Sequence, residues 1–252
     1  MTSASIQSGL HALSLATWRL PFDASAHGPA LDHHLLLNLW IILGLAALAH
    51  LILLIGLAAR RRPESKSWRI EYLPLAALAI LFAFLTLRAE RLWADSRYTG
   101  PEPTALQVQV VGQQFAWYFR YPGTDYTFGV TKPELVDAPS GNPLGIDPAD
   151  GHGADDIVTS ELVLPANRQI DLRINSLDVI HGFSVPVMRL KQNAVPGMTI
   201  HIHFTPKVPG TYAILCTQVC GLGHYRMNAN LRVLPPDQFA AWLAAKEKAV
   251  QP

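Results

Sequence analysis

The chain has 252 residues, of which 50% are apolar and only 15% charged, with a formal net charge of +1. That length allows one ordinary soluble domain plus a membrane anchor, and so apolar a balance is unusual for a wholly soluble protein. The near-neutral charge leaves no global basic field for nucleic acid.

Taken in chain order, the first 34 residues carry Arg19 as their one Lys or Arg. Met1 to Gly28 shows no basic start followed by an apolar core, so no cleavable signal is expected there, and residues 1–30 read as an irregular or short-helical preface. Leu35 to Ala59 has no charged residue apart from a titratable His50 and is dominated by Leu, Ile and Ala. A helix of roughly 20 residues covers a ~30 Å hydrocarbon core, so this stretch is long enough to span. A second apolar run, Leu73 to Leu87, is extended by Ile70 and Tyr72, with Arg88, Arg91 and Trp93 suited to the opposite interface. Together the two runs leave no polar face, which favours a spanning hairpin over a buried soluble helix. The connection, residues 60–69, carries five cations against Glu64. Positive charge stays on the cytoplasmic side, which puts both termini on the far, outer side of the membrane.

From Ala105 the period changes to two. Leu106 to Val110, Ile170 to Ile174 and Thr199 to Phe204 alternate, and Tyr212 to Leu215 is a short apolar strand candidate. Turn signals at Tyr121-Pro-Gly123, Val195-Pro-Gly197 and Val208-Pro-Gly210 separate them. Short strands so punctuated predict a β-sandwich or barrel, with residues 132–157 as a long loop and Pro235 to Lys248 as a closing surface helix. The expected organisation is an outer segment at 1–33, a hairpin at 34–93, an all-β domain at 94–235 and a helical tail at 236–252.

The run from Cys216 to Met227 carries the chemistry. Cys216, Cys220, His224 and Met227 fall within one loop after a strand, and two glycines let that loop fold back. Thiolate, imidazole and thioether together suit copper rather than magnesium or calcium. A second imidazole must come from elsewhere, and His181, at the end of a predicted strand, supplies it. Two coppers can then share both sulfurs, each taking one imidazole, with Met227 and a backbone carbonyl as weak outer ligands. A Cys216–Cys220 disulfide leaves His224 and Met227 unexplained, and a closed Cys₂His₂ zinc site ignores Met227. Redox chemistry of the CxxC kind needs two intervening residues, whereas three intervene here.

Asp178-Val-Ile-His181, then Val195-Pro-Gly197, then the Cys216-to-Met227 loop resemble subunit II of the haem–copper cytochrome c oxidases. The two-helix hairpin and the C-terminal length agree with it, so the resemblance covers residues 34–245. It implies a cupredoxin-like Greek-key barrel holding a binuclear copper centre, CuA. His181, Cys216, Cys220, His224 and Met227 would be side-chain ligands, and Gln218 would give its backbone carbonyl. The implied function is electron transfer from a c-type cytochrome to haem in subunit I, where oxygen reduction and proton pumping take place. No catalytic residue is expected in this chain itself. The common family members have Glu where Gln218 stands, helping to bind magnesium at the subunit I interface; the neutral amide weakens that expectation and leaves the carbonyl role. The family's aromatic run here reads Phe115-Ala-Trp117-Tyr-Phe119, with Phe115 at the electron-receiving position and Trp117 retained. Glu71 and Glu64 are weak candidates for feeding a proton channel, and Glu71 also suits a helix N-terminus.

Eight acids lie between Tyr121 and Pro165 against Lys132 alone. An acidic surface of this kind would steer a basic cytochrome, with Asp178, Asp155 and Asp156 as docking candidates. His201 and His203 share one strand face and read as surface positions. The alternatives to an oxygen reductase are the copper subunit of a haem–copper nitric oxide reductase and a membrane-anchored copper-delivery protein.

Overall fold

The structure is a computed structural model that describes residues 20–59 and 67–250. Two compact units divide the chain, one formed by residues 29–99 and the other by 1–28 with 100–252. Glu64 and most of the cation-rich connection lie outside the described residues.

The smaller unit holds two helices, α1 (Gly28–Ala58) and α2 (Trp68–Arg97). Both are long and apolar enough to cross a membrane, and none of either apolar stretch is buried. Leu54 on α1 and Phe82 on α2 are 62% and 72% exposed. Apolar side chains facing outward all round a helix fit a lipid or protein-filled surrounding, not water. At the end of α2 the Arg97 guanidinium lies 4.5 Å from the Trp93 ring centroid, and the indole N–H donates to Tyr98 Oη at 3.2 Å. Such a cation–indole cluster belongs at a membrane–water interface. The described part of the chain is thus a two-pass membrane protein with an extramembrane β domain.

That domain is a sandwich of two five-stranded sheets. One sheet runs β3-β2-β1-β5-β8, from β1 (Leu106–Gln113), β2 (Ala116–Tyr121), β3 (Ile157–Thr159), β5 (Ile170–Ser176) and β8 (Ile200–Phe204). The other runs β4-β10-β9-β6-β7, from β4 (Leu162–Pro165), β6 (His181–Val185), β7 (Leu190–Ala194), β9 (Gly210–Cys216) and β10 (Asn228–Leu234). A closing helix, α3 (Pro236–Val250), follows. Two pairings are parallel, β1 with β5 and β4 with β10, and the chain crosses between the sheets at β3–β4, β4–β5 and β5–β6, as in cupredoxin-like folds. The alternation read from the sequence sets the inner faces: Val108, Val110, Ile170, Leu172 and Ile174 are all fully buried. Tyr121 reaches from one sheet to the other, donating from its hydroxyl to Val163 O at 2.9 Å and accepting from Val163 N at 2.8 Å. Burial pushes its phenol pKa well up.

Two features depart from the sequence expectations. Residues 20–27 are irregular as expected and are tied onto the β domain: Ala24 N donates to Val187 O at 2.8 Å and Lys207 N to Ala24 O at 2.7 Å. Arg189 also donates to Pro21 O at 2.7 Å. His203, expected on the surface, is buried on the outer face of β8 beside Asp171, which shares one carboxylate oxygen with His203 at 3.3 Å and His201 at 3.1 Å. Alternation identifies a face but not whether neighbours cover it. Asp156 likewise is buried and paired with Arg120, whose guanidinium also donates to Gly129 O at 2.6 Å.

Arg120→Met leaves the Asp156 carboxylate buried without its cation, and removing one partner of a buried pair costs about 3–5 kcal/mol. Denaturant unfolding of the detergent-solubilised chain should show a loss of that size. An unchanged midpoint contradicts the assignment.

Candidate metal centre

Cys216 closes β9 and Met227 directly precedes β10, so the intervening residues form the loop of an antiparallel pair. A backbone bond from Cys216 N to Met227 O, 3.2 Å, closes its base. Thr217 N then donates to Gly182 O at 2.8 Å, which lays the start of the loop across β6 next to His181. A Cβ on Gly182 would stand 2.7 Å from Gln218 N and 2.5 Å from Thr217 Oγ1, so this crossing needs glycine. A short 3₁₀ turn, His224–Arg226, brings the chain back to Met227.

The loop gathers the soft donors. The two cysteines are free, with sulfurs 3.9 Å apart, far beyond the ~2.05 Å of a disulfide. Cys220 Sγ lies 3.7 Å from His224 Nδ1 and 3.7 Å from Met227 Sδ, while Cys216 Sγ lies 3.2 Å from the Gln218 carbonyl oxygen. A ring nitrogen of His181 and both cysteine sulfurs lie within 4.8 Å of one another. Donors that share a tetrahedral metal at ~2.0–2.3 Å stand roughly 3.3–3.8 Å apart. These separations need little closing to meet that condition.

His181 is held as a metal ligand requires. It is fully buried, its Nε2 lies 2.8 Å from Asp178 Oδ1, and its Nδ1 is buried with no hydrogen-bond partner. With the Nε2 proton donated to the carboxylate, the Nδ1 lone pair is free for a metal. Asp178 also accepts from Gln114 N at 2.7 Å and Val179 N at 2.6 Å. Burial raises the Asp178 pKa, but the bonds from His181, Gln114 and Val179 outweigh it and hold the carboxyl below its usual range. Burial and the neighbouring Cys216 push the Cys220 thiol up to about 11. Without a metal the deeper sulfur therefore keeps its proton, and a cation must displace it on binding.

The aromatic run divides into two roles of place. Trp117 is buried, its ring edge-on to His181 at 5.8 Å and to Phe183 at 5.3 Å. Phe115 is half-buried beneath the metal loop, close enough that a Cβ on Gly223 would meet its ring at 2.4 Å. Around the centre the loop shows apolar side chains to solvent, with Val219 78%, Tyr225 85% and Leu222 99% exposed.

The acidic docking expectation needs revision. Asp156 is unavailable because it is buried against Arg120. Asp155 accepts from Thr124 N at 2.6 Å and Thr124 Oγ1 at 2.9 Å. Asp125, Asp147 and Glu161 pair with His152, Lys132 and Arg232. Three of these partners are cations or imidazoles that a count of Lys132 alone leaves out. The loop bearing these acids leaves β2 at Tyr121, the end away from the Ala116 turn that meets the metal loop. Asp178 does stand beside the centre, bonded to His181. Glu71 is exposed in the first turn of α2. Gly112, Gln114 and Gly182 were not legible as site residues, since none has a side chain that ligates copper.

A family model described as "Cytochrome C oxidase subunit II, periplasmic domain" matches residues 106–233. The chain belongs to the cytochrome c oxidase subunit II family. "Alternative cytochrome c oxidase subunit 2" of Bradyrhizobium diazoefficiens is 37% identical over 141 residues, 55% of this chain and 50% of that protein. "Cytochrome c oxidase subunit 2" of Cereibacter sphaeroides is 27% identical over 147 residues, 54% of this chain and 48% of that one. The chain thus spans about half the length of these relatives. The solved periplasmic domain of subunit II (CoxB) of Bradyrhizobium japonicum aligns with 60% of this chain and 100% of its own, at 25% identity and a TM-score of 0.44.

Gly182→Val should push Thr217 and Gln218 off β6 and weaken metal binding by roughly 10–100-fold, the range found when groups that orient ligands are lost. Competition titration of the metal-free chain against a copper chelator measures it, and wild-type affinity contradicts the role.

Proposed function

We propose that this chain is the electron-transfer subunit of a respiratory cytochrome c oxidase, with a binuclear copper centre held by His181, Cys216, Cys220, His224, Met227 and the Gln218 carbonyl. The observation that carries the reading is a pair of free thiols 3.9 Å apart, with a His181 ring nitrogen within 4.8 Å of both sulfurs and the His224 imidazole and Met227 thioether each 3.7 Å from Cys220 Sγ. A closed zinc site needs four donors and has no use for Met227 or the Gln218 oxygen. Thioether and thiolate together favour copper.

A copper pair held by these residues would supply one-electron transfer chemistry. The chain's own residues do the rest. Asp178 fixes the tautomer of His181, and the Cys216–Met227 backbone bond holds the loop ends. Trp117 and Phe183 exclude water from the His181 side. Donors fixed this way have little room to rearrange, which keeps the cost of changing charge small. Gln218 offers a neutral amide, so the reading includes copper and leaves magnesium out. The electron donor is a c-type cytochrome, met at the apolar rim of Val219, Leu222 and Tyr225 with Asp178 beside it; Phe115 and Trp117 are the nearest rings of the aromatic run. Haem, oxygen chemistry and proton pumping belong to a partner subunit I, and α1 and α2 place the chain among lipid and partner helices.

Cys220→Ser removes the thiol that lies closest to both His224 and Met227. In the purified membrane complex it should abolish oxidation of reduced cytochrome c while leaving the partner's haem spectrum in place. Retained oxygen uptake at the wild-type rate would contradict the proposal, and wild-type turnover of nitric oxide in place of oxygen would move the chain to the other reductase class.

A further inference from the structure

We infer that Gly112 is a positioning residue for the metal centre: its bare Cα is the seat against which the His181 imidazole lies, and it aims Nδ1 at the thiolates. The inference rests on the copper reading above and extends it to a residue with no side chain.

Gly112 is the penultimate residue of β1, buried, where it pairs with Trp117 of β2 and Ser176 of β5. A Cβ added there would stand 2.9 Å from His181 Cδ2, 3.2 Å from His181 Cγ and 3.1 Å from the Trp117 ring. Real Cβ atoms do not come so close to a ring, so any larger residue must shift the imidazole or the indole. Neither can yield freely. Trp117 is wedged between His181 and Phe183, and His181 is fully buried with its far nitrogen tied to Asp178. The backbone of Gly112 has no left-handed angle that would itself call for glycine, so space alone explains the residue.

The same residue holds the segment that leads to His181. Its carbonyl accepts from Leu177 N at 3.0 Å and from Ser176 Oγ at 3.3 Å. The one Ser176 hydroxyl proton is shared between that carbonyl and the nearer Val179 O at 2.5 Å. Two positions on, Gln114 N donates to Asp178. The end of β1 therefore bounds the ring on its Cγ–Cδ2 side at Gly112 and fixes its approach through the Gly112 carbonyl. A ligand ring with one side against backbone and one nitrogen on a carboxylate keeps a single orientation.

The test uses the full chain in detergent, loaded with copper. Gly112→Ala is the main variant, Ser176→Ala a milder one that removes the hydroxyl bonds without adding bulk, and Gly151→Ala a control at a glycine with open space around it. Gly112→Ala should release copper to a chelator roughly 10–100-fold faster than wild type and change the copper hyperfine pattern in electron spin resonance. Ser176→Ala should move both readouts the same way by a smaller factor, and Gly151→Ala should move neither. A merely structural glycine would lower the unfolding temperature and leave the hyperfine pattern as it was. Wild-type spectra and release rates in Gly112→Ala overturn the inference; if that variant does not fold, the same result in Ser176→Ala does. A wild-type chain that takes up no copper pair removes the underlying reading as well, which separates the two failures.

Discussion

Two thiols share one small space in this molecule, and the rest of the extramembrane domain is arranged to keep them there. Cys216 is fixed because it ends a strand paired on both sides, to β10 and β6. Cys220 is fixed because its loop is tied at the base by Cys216 and Met227 and laid over Gly182. Without a metal, sulfurs 3.9 Å apart repel as thiolates, and burial with mutual proximity keeps Cys220 protonated. The loop is thus a site whose charge problem a soft or borderline cation would relieve. His181 completes the set from a different strand, so the centre links β6 to the β9–β10 hairpin as a clasp within one sheet.

The candidate metal cluster is legible in the sequence because most of its proposed donors are local. Cys216, Cys220, His224 and Met227 lie in one loop, and residue type alone distinguishes copper from hard cations. His181 was reachable because it closely follows the alternating strand β5 and Asp178, although it opens β6 and does not end a strand. The two apolar helices and the inner faces of β1, β5 and β8 followed from hydropathy and period. Their ends did not: α1 begins at Gly28, ahead of the expected Leu35, since polar Asp32, His33 and His34 conceal helix that needs no apolar face.

What stayed hidden depends on neighbours distant in the chain. Asp156 reads as one of many acids until Arg120 is found beside it. Asp171 and His203 read as outward and wet until each covers the other. Gly112 carries no chemistry at all, and its meaning lies in the ring that rests on it. The revised view of the acidic loop follows from the same cause, because charges that look unpaired in sequence are matched by Arg120, His152 and Arg232. A surface of paired charge offers less steering than its acid count suggests.

The claim on which everything else stands is that both sulfurs are shared by two coppers. Copper content per chain, measured together with low-temperature electron spin resonance of the loaded protein, tests it most directly. The account predicts two coppers per chain and one unpaired electron spread evenly over both, giving seven hyperfine lines. A single copper per chain with a four-line pattern would contradict it.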